Sequence, residues 1–418
     1  MARTFFIEGY GCSLNIAETE KTAGFLIQNK FSKVDSFLRA DFIIINTCSV
    51  KQVTEQRMLS RIKFLLSKKK RASKLIVMGC LASAQHETIW SISNKIIVLD
   101  NSLSSLCREL KIKPAEFSPS IPSISSRKCV SIIPVSTGCL GSCTYCSARL
   151  ARRELKSYSP KSILTAFRSA LRGGAKEIWL TSQDMGCYGF DIKTDLPSLL
   201  KLLLKEKGEF RLRIGMMNPN HFLKIRKDLV SLFSDERLYK FLHLPLQSAS
   251  DRILKAMNRK YSVKEFDECV LFAKKNIPNV SLATDIIVGF PGESEEDFLL
   301  TLNSVKKYGF DVINISRFGK RKGTVAEKMP LQLTESTKKD RSRILSVLCD
   351  TIFEKNNPSF IGRTVLCLVS EKTKNGFNAR TGEYRTVFIN SSEDLLGKFV
   401  SVRINAINGH YFLGSLAK

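Results

Sequence analysis

The sequence predicts an α/β protein of three parts: a parallel α/β domain, a second parallel α/β domain curved into a partial barrel, and a small C-terminal β-barrel. Three observations carry this prediction. Apolar strands alternate with amphipathic helices over most of the 418 residues, which is typical of parallel sheets. A Pro- and Ser-rich stretch, residues 113–127, interrupts the alternation and indicates a linker. After residue 358 the helical periodicity ends, and Val-rich segments separated by glycines follow.

The first part, residues 1–112, contains three strand patterns and two helical patterns. Helices are predicted over 15–30 and 50–70, and strands at TFFIEGYG (4–11), DFIIINT (41–47) and KLIVMG (74–79). Apolar strands joined by amphipathic helices predict a parallel sheet covered by helices. Parallel strands place their carboxyl ends on one edge of the sheet, so the residues that follow these strands are expected to converge.

The second part, residues 128–332, contains six strand patterns with helical patterns between them. The strands are predicted at 131–136, 176–182, 210–217, 239–246, 280–289 and 311–318. Six such repeats predict a partial (β/α)6 barrel, with its ligand site at the carboxyl ends of the strands. A connecting helix over 333–358 leads to the β-barrel, residues 359–418.

The chain carries 66 Lys and Arg residues against 39 Asp and Glu, for a net charge of +27. This excess is spread along the chain and favours a polyanionic partner, although a merely solvated basic surface is the alternative. No apolar run approaches the ~20 residues of a membrane span, and the N-terminus lacks a signal-peptide pattern. We therefore expect a cytoplasmic protein with no membrane partner, in which the 12 cysteines do not form disulfides.

Three of the cysteines, Cys139, Cys143 and Cys146, have the spacing C-x3-C-x2-C directly after the first strand of the second part. Gly138 and Gly141 allow the loop to fold tightly around a metal. Three thiolates on a 4Fe-4S cluster leave one iron without a protein ligand, and that iron can bind a small molecule. A zinc loop with a distant fourth ligand is the alternative.

A second set of three cysteines is dispersed in the sequence. Cys12, Cys48 and Cys80 each lie just beyond a predicted strand of the first part. Because these strands are predicted to be parallel, the three thiols are expected to converge at one edge of the sheet. This predicts a second metal site with three protein ligands; three unconnected buried cysteines are the alternative. The six remaining cysteines are assigned no functional role.

The loop Cys139-x3-Cys143-x-Tyr145-Cys146 resembles the motif of radical S-adenosylmethionine (SAM) enzymes. The resemblance implies that the amino and carboxylate groups of SAM chelate the open iron. It implies that an electron passed through the cluster cleaves SAM to methionine and a 5′-deoxyadenosyl radical. It also implies that Tyr145 packs near the adenine of SAM.

Polar residues at later strand ends fit the same resemblance. Residues SQD end the second strand, and such strand ends bind the SAM amino group in the superfamily. The candidate cofactor-binding residues, besides Tyr145, are Ser182, Gln183, Asp184, Arg213, His243, Gln247 and Asp285. Ordinary helix capping is the alternative for any one of these polar clusters.

The whole chain resembles the radical SAM methylthiotransferase family (MiaB, RimO, MtaB). The resemblance rests on GCSLN (11–15), NTCSV (46–50), MGC (78–80), the C-x3-C-x2-C loop and the C-terminal β-barrel. Residues 1–112 resemble the N-terminal domain of the family and residues 128–332 its radical SAM core. Residues 359–418 resemble its TRAM domain, an RNA-binding barrel.

Several segments, among them EIWLTSQDMGCYG, HLPLQSAS and ATDIIVGFPGE, resemble the archaeal and eukaryotic branch of the family. That branch methylthiolates N6-threonylcarbamoyladenosine at position 37 of tRNA. The resemblance implies two 4Fe-4S clusters and SAM as cofactors; the second cluster, on Cys12, Cys48 and Cys80, holds the sulfur, and a second SAM supplies the methyl group. The implied partners are the tRNA anticodon stem-loop, an electron donor and iron–sulfur assembly proteins.

Three alternative functions remain open from the sequence. The same chemistry could act on isopentenyladenosine in tRNA, as in MiaB, or on an aspartate of a ribosomal protein, as in RimO. From a different class, the chain could be a non-catalytic two-cluster redox or RNA-binding protein.

Overall fold

A computed structural model describes residues 3–49, 52–125 and 127–417. The chain divides into two compact units, one formed by residues 1–126, 132–166 and 319–328 and the other by residues 127–131, 167–318 and 329–418. In the first unit, a sheet with the strand order β2-β1-β3-β4-β5 is entirely parallel. Its strands are β1 (Thr4–Gly9), β2 (Ser32–Lys33), β3 (Phe42–Thr47), β4 (Lys74–Gly79) and β5 (Ile97–Val98).

Helices cover both faces of this sheet. They are α1 (Ser13–Gln28), α2 (Gln52–Lys68), α3 (Cys80–Ala84), α4 (His86–Trp90) and α5 (Leu103–Leu110). Alternation along the strands sorts the apolar side chains to opposite faces. Thus Ile43 packs with Met58 and Ile62 of α2, whereas Ile44 packs in a second core with Leu26 of α1.

The chain then forms β6 (Val130–Pro134), β7 (Ser136–Thr137), α6 (Ala148–Ala151), β8 (Lys156–Ser157) and α7 (Pro160–Arg172). Strands β7 and β8 pair in an antiparallel ribbon on either side of the C-x3-C-x2-C loop. This ribbon brings the two ends of the segment that carries the three cysteines together.

The second unit contains the later strands of the partial barrel and the helices between them. The elements are β9 (Glu177–Thr181), α8 (Leu196–Leu203), β10 (Arg211–Ile214), α9 (Pro219–Ser231), β11 (Phe241–His243), α10 (Asp251–Ala256), α11 (Val263–Asn276), β12 (Ser281–Val288), α12 (Glu295–Tyr308), β13 (Val312–Arg317) and α13 (Glu335–Asn356). The strand orders are β10-β9-β6 and β11-β12-β13. A parallel bridge from Leu212 to Leu238 joins the two series, so six strands follow in chain order, as a partial barrel requires.

The unit ends in a closed barrel with the strand order β14-β15-β16-β18-β17. Its strands are β14 (Thr364–Thr373), β15 (Gly376–Arg380), β16 (Thr386–Ile389), β17 (Phe399–Asn408) and β18 (Tyr411–Leu416). Short 3-10 helices lie at Phe37–Arg39, Met185–Cys187, Leu232–Ser234, Val325–Lys328 and Pro358–Phe360. The predicted fold class, parallel α/β with a C-terminal β-barrel, is confirmed. Within the described ranges no helix is long and apolar enough to span a membrane.

Candidate functional site

Cys12, Cys48 and Cys80 lie at the carboxyl ends of neighbouring strands in the first unit. Cys12 caps the start of α1, Cys48 follows β3, and Cys80 is the first residue of α3. The strand ends are level with one another, because the parallel register pairs Gly9 of β1 with Asn46 of β3. The topology thus places the three cysteines along one sheet edge.

Side-chain contacts bring the three cysteines into one small region. Gly11 approaches Cys48 so closely that a Cβ atom at Gly11 would lie 2.3 Å from the sulfur. Asn15 donates from Nδ2 to the Thr47 carbonyl oxygen at 2.8 Å, and its Oδ1 lies 3.8 Å from the sulfur of Cys80. The start of α1 therefore touches both of the other strand ends.

This first triad has two buried members and one exposed member. Cys48 and Cys80 are 2% and 4% exposed, whereas Cys12 is exposed. Burial raises the pKa of the Cys80 thiol, and the nearby guanidinium of Arg152 opposes that shift. The chain therefore keeps Cys80 protonated at neutral pH until a metal displaces the proton.

Cys139, Cys143 and Cys146 lie in the loop between β7 and α6, also in the first unit. The Cys146 backbone N–H donates to the Cys143 carbonyl at 3.2 Å. Both other sulfurs face Gly141: a Cβ atom there would lie 3.6 Å from the sulfur of Cys139 and 3.8 Å from that of Cys143. The missing side chain of Gly141 leaves the space that a group bound to these sulfurs would need.

The thiols of this second triad interact with one another electrostatically. Burial, with a smaller contribution from the nearby thiols of Cys143 and Cys139, raises the pKa of Cys146 to about 12. Three clustered thiols cannot all ionise without a cation to compensate their charge. The electrostatics of the loop therefore fit a bound metal centre.

A search for compact groups of potential metal ligands finds a third set of residues. Among residues 3–49, 52–125 and 127–417, one group of three potential ligand atoms lies within 4.8 Å of one another, and it is Asp184, Cys187 and His221. Neither cysteine triad forms such a compact group among the described residues. In a 4Fe-4S cluster each thiolate binds a different iron, so its ligand atoms need not lie as close together as the ligands of a single ion.

Strand-end residues of the second unit carry buried acceptors without partners. Ser182 and Gln183 follow β9, and Gln247 forms a parallel bridge with Ile286. The atoms Ser182 Oγ, Gln183 Oε1 and Gln247 Oε1 are buried and have no hydrogen-bond partner among the described residues. Gln247 also has a φ of +63°, a strained conformation that is concentrated at functional sites. These acceptors suit a ligand that brings N–H donors.

His243, Asp285 and Asn314 form a row across β11, β12 and β13. Nε2 of His243 lies 3.1 Å from Oδ1 of Asp285, and Asn314 donates to the same oxygen at 2.9 Å. The parallel register places Asp285 directly beside Asn314. The structure thus brings two of the predicted residues, His243 and Asp285, into direct contact.

Asp184 is fully buried, and its carboxylate is occupied by protein donors. It accepts from Gly186 N at 2.9 Å, Asn218 N at 3.0 Å, Asn218 Nδ2 at 2.7 Å and His221 Nδ1 at 2.6 Å. Asn218 in turn accepts from Arg259. Sequence reasoning missed Asn218 and His221, since no local pattern links them to Asp184. Ser182 and Gln183 have buried oxygens without partners among the described residues, whereas Asp184 stabilises this loop through hydrogen bonds to the protein itself.

Arg213 is surrounded by aromatic rings. Its guanidinium carbon lies 5.5 Å from the ring centre of Trp179, 5.3 Å from that of Phe241 and 5.1 Å from that of Tyr384. Arg213 lines a cavity of about 360 Å³, together with His243 and several side chains of the β15–β16 turn. Tyr145 lies half-buried in the cysteine loop of the first unit.

Three family models match successive parts of the chain. Residues 4–99 match the model described as Uncharacterized protein family UPF0004, residues 133–305 the Radical SAM superfamily, and residues 352–417 the TRAM domain. The fold is similar to that of the radical SAM methyltransferase TsrM from Kitasatospora setae (TM-score 0.55, 10% identity, covering 78% of this chain and 77% of that one). The match over residues 133–305 defines the class, radical SAM proteins.

Relatives that match nearly the whole of this chain define the family. A probable threonylcarbamoyladenosine tRNA methylthiotransferase of Pyrococcus horikoshii is 38% identical over 98% of this chain and 99% of its own length. The Archaeoglobus fulgidus relative of the same name is 37% identical over 98% of each chain. The Xenopus laevis threonylcarbamoyladenosine tRNA methylthiotransferase is 34% identical over 98% of this chain and 76% of its own. The chain belongs to the threonylcarbamoyladenosine tRNA methylthiotransferase family.

Proposed function

We propose that this protein replaces the hydrogen on C2 of N6-threonylcarbamoyladenosine, at position 37 of tRNA, with a methylthio group. The observation that carries the proposal is the presence of two three-cysteine sites in one chain. The names of relatives that match 98% of this chain favour this nucleoside over isopentenyladenosine and over an aspartate of a ribosomal protein.

The proposed reaction explains why two sites are needed. The C2–H bond of adenine is neither acidic nor activated, so a radical must remove the hydrogen. Cys139, Cys143 and Cys146 would hold one 4Fe-4S cluster, and Cys12, Cys48 and Cys80 the other. When bound, these clusters supply the electron that cleaves SAM and an iron that carries sulfur.

The strand-end residues of the second unit would bind SAM. The acceptors of Ser182, Gln183 and Gln247 suit its ammonium group, because each is buried without another partner among the described residues. Asp184, occupied by protein donors, would hold Ser182 and Gln183 in place. His243, Asp285 and the buried Nε of Arg213 supply further polar contacts, and Tyr145 would pack near the adenine.

The anticodon stem-loop of tRNA would bind mainly through its phosphates. The net charge of +27 and the C-terminal barrel, which matches the TRAM domain, support this part of the proposal. The clusters must be assembled and reduced, so iron–sulfur assembly proteins and an electron donor are the further partners proposed.

Nucleoside analysis of tRNA tests the proposal directly. Cells that lack the gene should lose the 2-methylthio derivative of N6-threonylcarbamoyladenosine, as measured by mass spectrometry of digested tRNA. The wild-type gene should restore it, and Cys143→Ala or Cys48→Ala should not. Cys349→Ser, on α13 and outside both triads, is the matched control and should restore it. An unchanged 2-methylthio peak in the deletion strain would refute the assignment.

A further inference from the structure

Arg152 lies at the first cysteine triad although it belongs to the segment that leaves the second. It follows α6, six positions after Cys146 in the sequence. Its Nε–H donates to the sulfur of Cys80 at 3.3 Å. Arg152 itself is 6% exposed. A buried, permanently charged donor is thus directed at one proposed cluster ligand.

The other N–H groups of Arg152 are also satisfied. Glu18 accepts two of them, at 2.5 Å each, Thr137 accepts one at 2.9 Å and Asn15 one at 3.2 Å. A guanidinium has five N–H donors in a fixed planar fork, and all five have acceptors here. The orientation of Nε–H toward Cys80 is therefore fixed by the rest of the fork.

A second hydrogen bond joins the same two regions. Ser147, directly after Cys146, donates from Oγ to the backbone oxygen of Ser49, directly after Cys48, at 2.7 Å. Ser147 is 4% exposed and Ser49 fully buried. The segment 147–152 is thus anchored to the first triad at both ends.

We propose that Arg152 is a positioning residue for the cluster on Cys12, Cys48 and Cys80, and that its hydrogen bond to Cys80 raises the reduction potential of that cluster. The proposal rests on the assignment of these cysteines under the proposed function. Hydrogen bonds to cluster sulfurs and nearby positive charge favour the reduced, more negative state. Glu18 neutralises much of the charge of Arg152, so the two residues act on the potential in opposite directions.

The test uses the full chain with Cys139, Cys143 and Cys146 replaced by Ala, so that one cluster remains. This parent is reconstituted anaerobically with ferrous iron and sulfide. About four irons per chain are expected, and a parent that binds none would refute the proposed cluster assignment itself, separately from the role of Arg152.

Redox titrations followed by electron paramagnetic resonance then compare the variants with the loaded parent. Arg152→Gln should shift the midpoint potential to more negative values, because the charged donor to Cys80 is lost. Glu18→Gln should shift it to more positive values, because the charge of Arg152 is no longer neutralised. If Arg152 and Glu18 only stabilised the fold, their substitutions would not shift the midpoint potential in opposite directions.

Arg237→Gln is the matched control. Arg237 also binds a carboxylate, Asp235, and two backbone oxygens, but it does so in the second unit, and its loss should leave the potential unchanged. If the Arg152→Gln protein does not bind a cluster, Arg152→Lys is used in its place. Lysine keeps the positive charge but lacks the Nε–H group that donates to Cys80, so a shift of the midpoint potential to more negative values is again expected. Unchanged potentials, or shifts of the same sign for the Arg152 and Glu18 variants, would overturn the proposal.

Discussion

At the residue scale, Gly138 shows how strictly the chain fixes the cysteine loop. Its φ is +73°, and a Cβ atom there would lie 1.7 Å from the carbonyl oxygen of Glu154. Gly174 has a similar φ of +85° but nothing within 4 Å of its Cβ position. An alanine at Gly174 would therefore meet only the cost of the left-handed backbone conformation, whereas an alanine at Gly138 would also meet a steric clash.

Gly138→Ala should prevent the loop from closing, because the added methyl group meets backbone that cannot move aside. We expect the iron content after reconstitution to fall from about eight to about four per chain, since only the loop cluster is lost. Gly174→Ala, the control, should retain about eight irons and lose about 1–2 kcal/mol of stability from the left-handed conformation. A Gly138→Ala protein with full iron content would contradict this account of the loop.

At the element scale, the sequence was sufficient to predict the convergence of three strand ends. The apolar strands before Cys12, Cys48 and Cys80 are unambiguous, and parallel pairing brings their ends to one edge. The ion pair of Arg152 with Glu18 was not predictable, because the partners are 134 residues apart. Glu18 lies in α1, and Arg152 follows the short helix α6. Long-range polar pairs depend on how elements pack, which local periodicity does not encode.

The Pro- and Ser-rich segment illustrates the same limit. Its composition predicts a linker, and it forms no helix or strand over residues 113–125, but it packs along α1. Lys21 of α1 donates to the backbone oxygens of Pro119 and Ile121, the latter at 2.7 Å. A Cβ atom at Gly24 would lie 1.9 Å from the Pro122 oxygen. Composition excludes regular structure in this segment, but it does not exclude close packing.

The contact between Lys21 and this segment should make stability depend on pH. Burial lowers the pKa of Lys21 from 10.5 to about 8. Between these values the folded chain binds fewer protons at Lys21 than the unfolded chain, so stability should rise with pH in this window. Below pH 8 Lys21 is charged in both the folded and the unfolded chain, so the cost of burying its charge lowers the stability by a constant amount.

Relative to Lys21→Met, the thermal unfolding midpoint of the wild type should therefore rise from pH 8 to 10.5, by the equivalent of at most about 3 kcal/mol. Lys63→Met, on the exposed face of α2, serves as the control and should differ from the wild type by a constant amount. A constant difference for Lys21→Met over the same range would show that Lys21 titrates normally.

At the scale of the whole molecule, the net charge of +27 raises the question of which surface grips RNA. The closed barrel exposes a set of cations on β14, β17 and the adjoining turns: Lys372, Lys374, Lys398 and Arg403. Helices α11, α12 and α13 expose a comparable set: Lys264, Lys275, Lys306 and Lys339. The two sets are equal in number and charge, so exchanging each for glutamine changes the net charge equally.

If the barrel grips tRNA, neutralising its four cations should weaken binding and flatten the dependence of log Kd on log salt. Each lost phosphate contact should reduce that slope by about 0.7–0.9, so a total reduction of roughly 3 is expected. The slope is measured by fluorescence anisotropy of labelled tRNA from about 50 to 300 mM KCl, where salt screens the charges over roughly 6 to 14 Å. The helix variant should change the slope by less than about 1, because a general excess of charge acts at long range and releases few counterions. If the slope fell equally in the two variants, the positive charge would act without regard to its position on the surface, and the barrel would not be the main tRNA-binding surface.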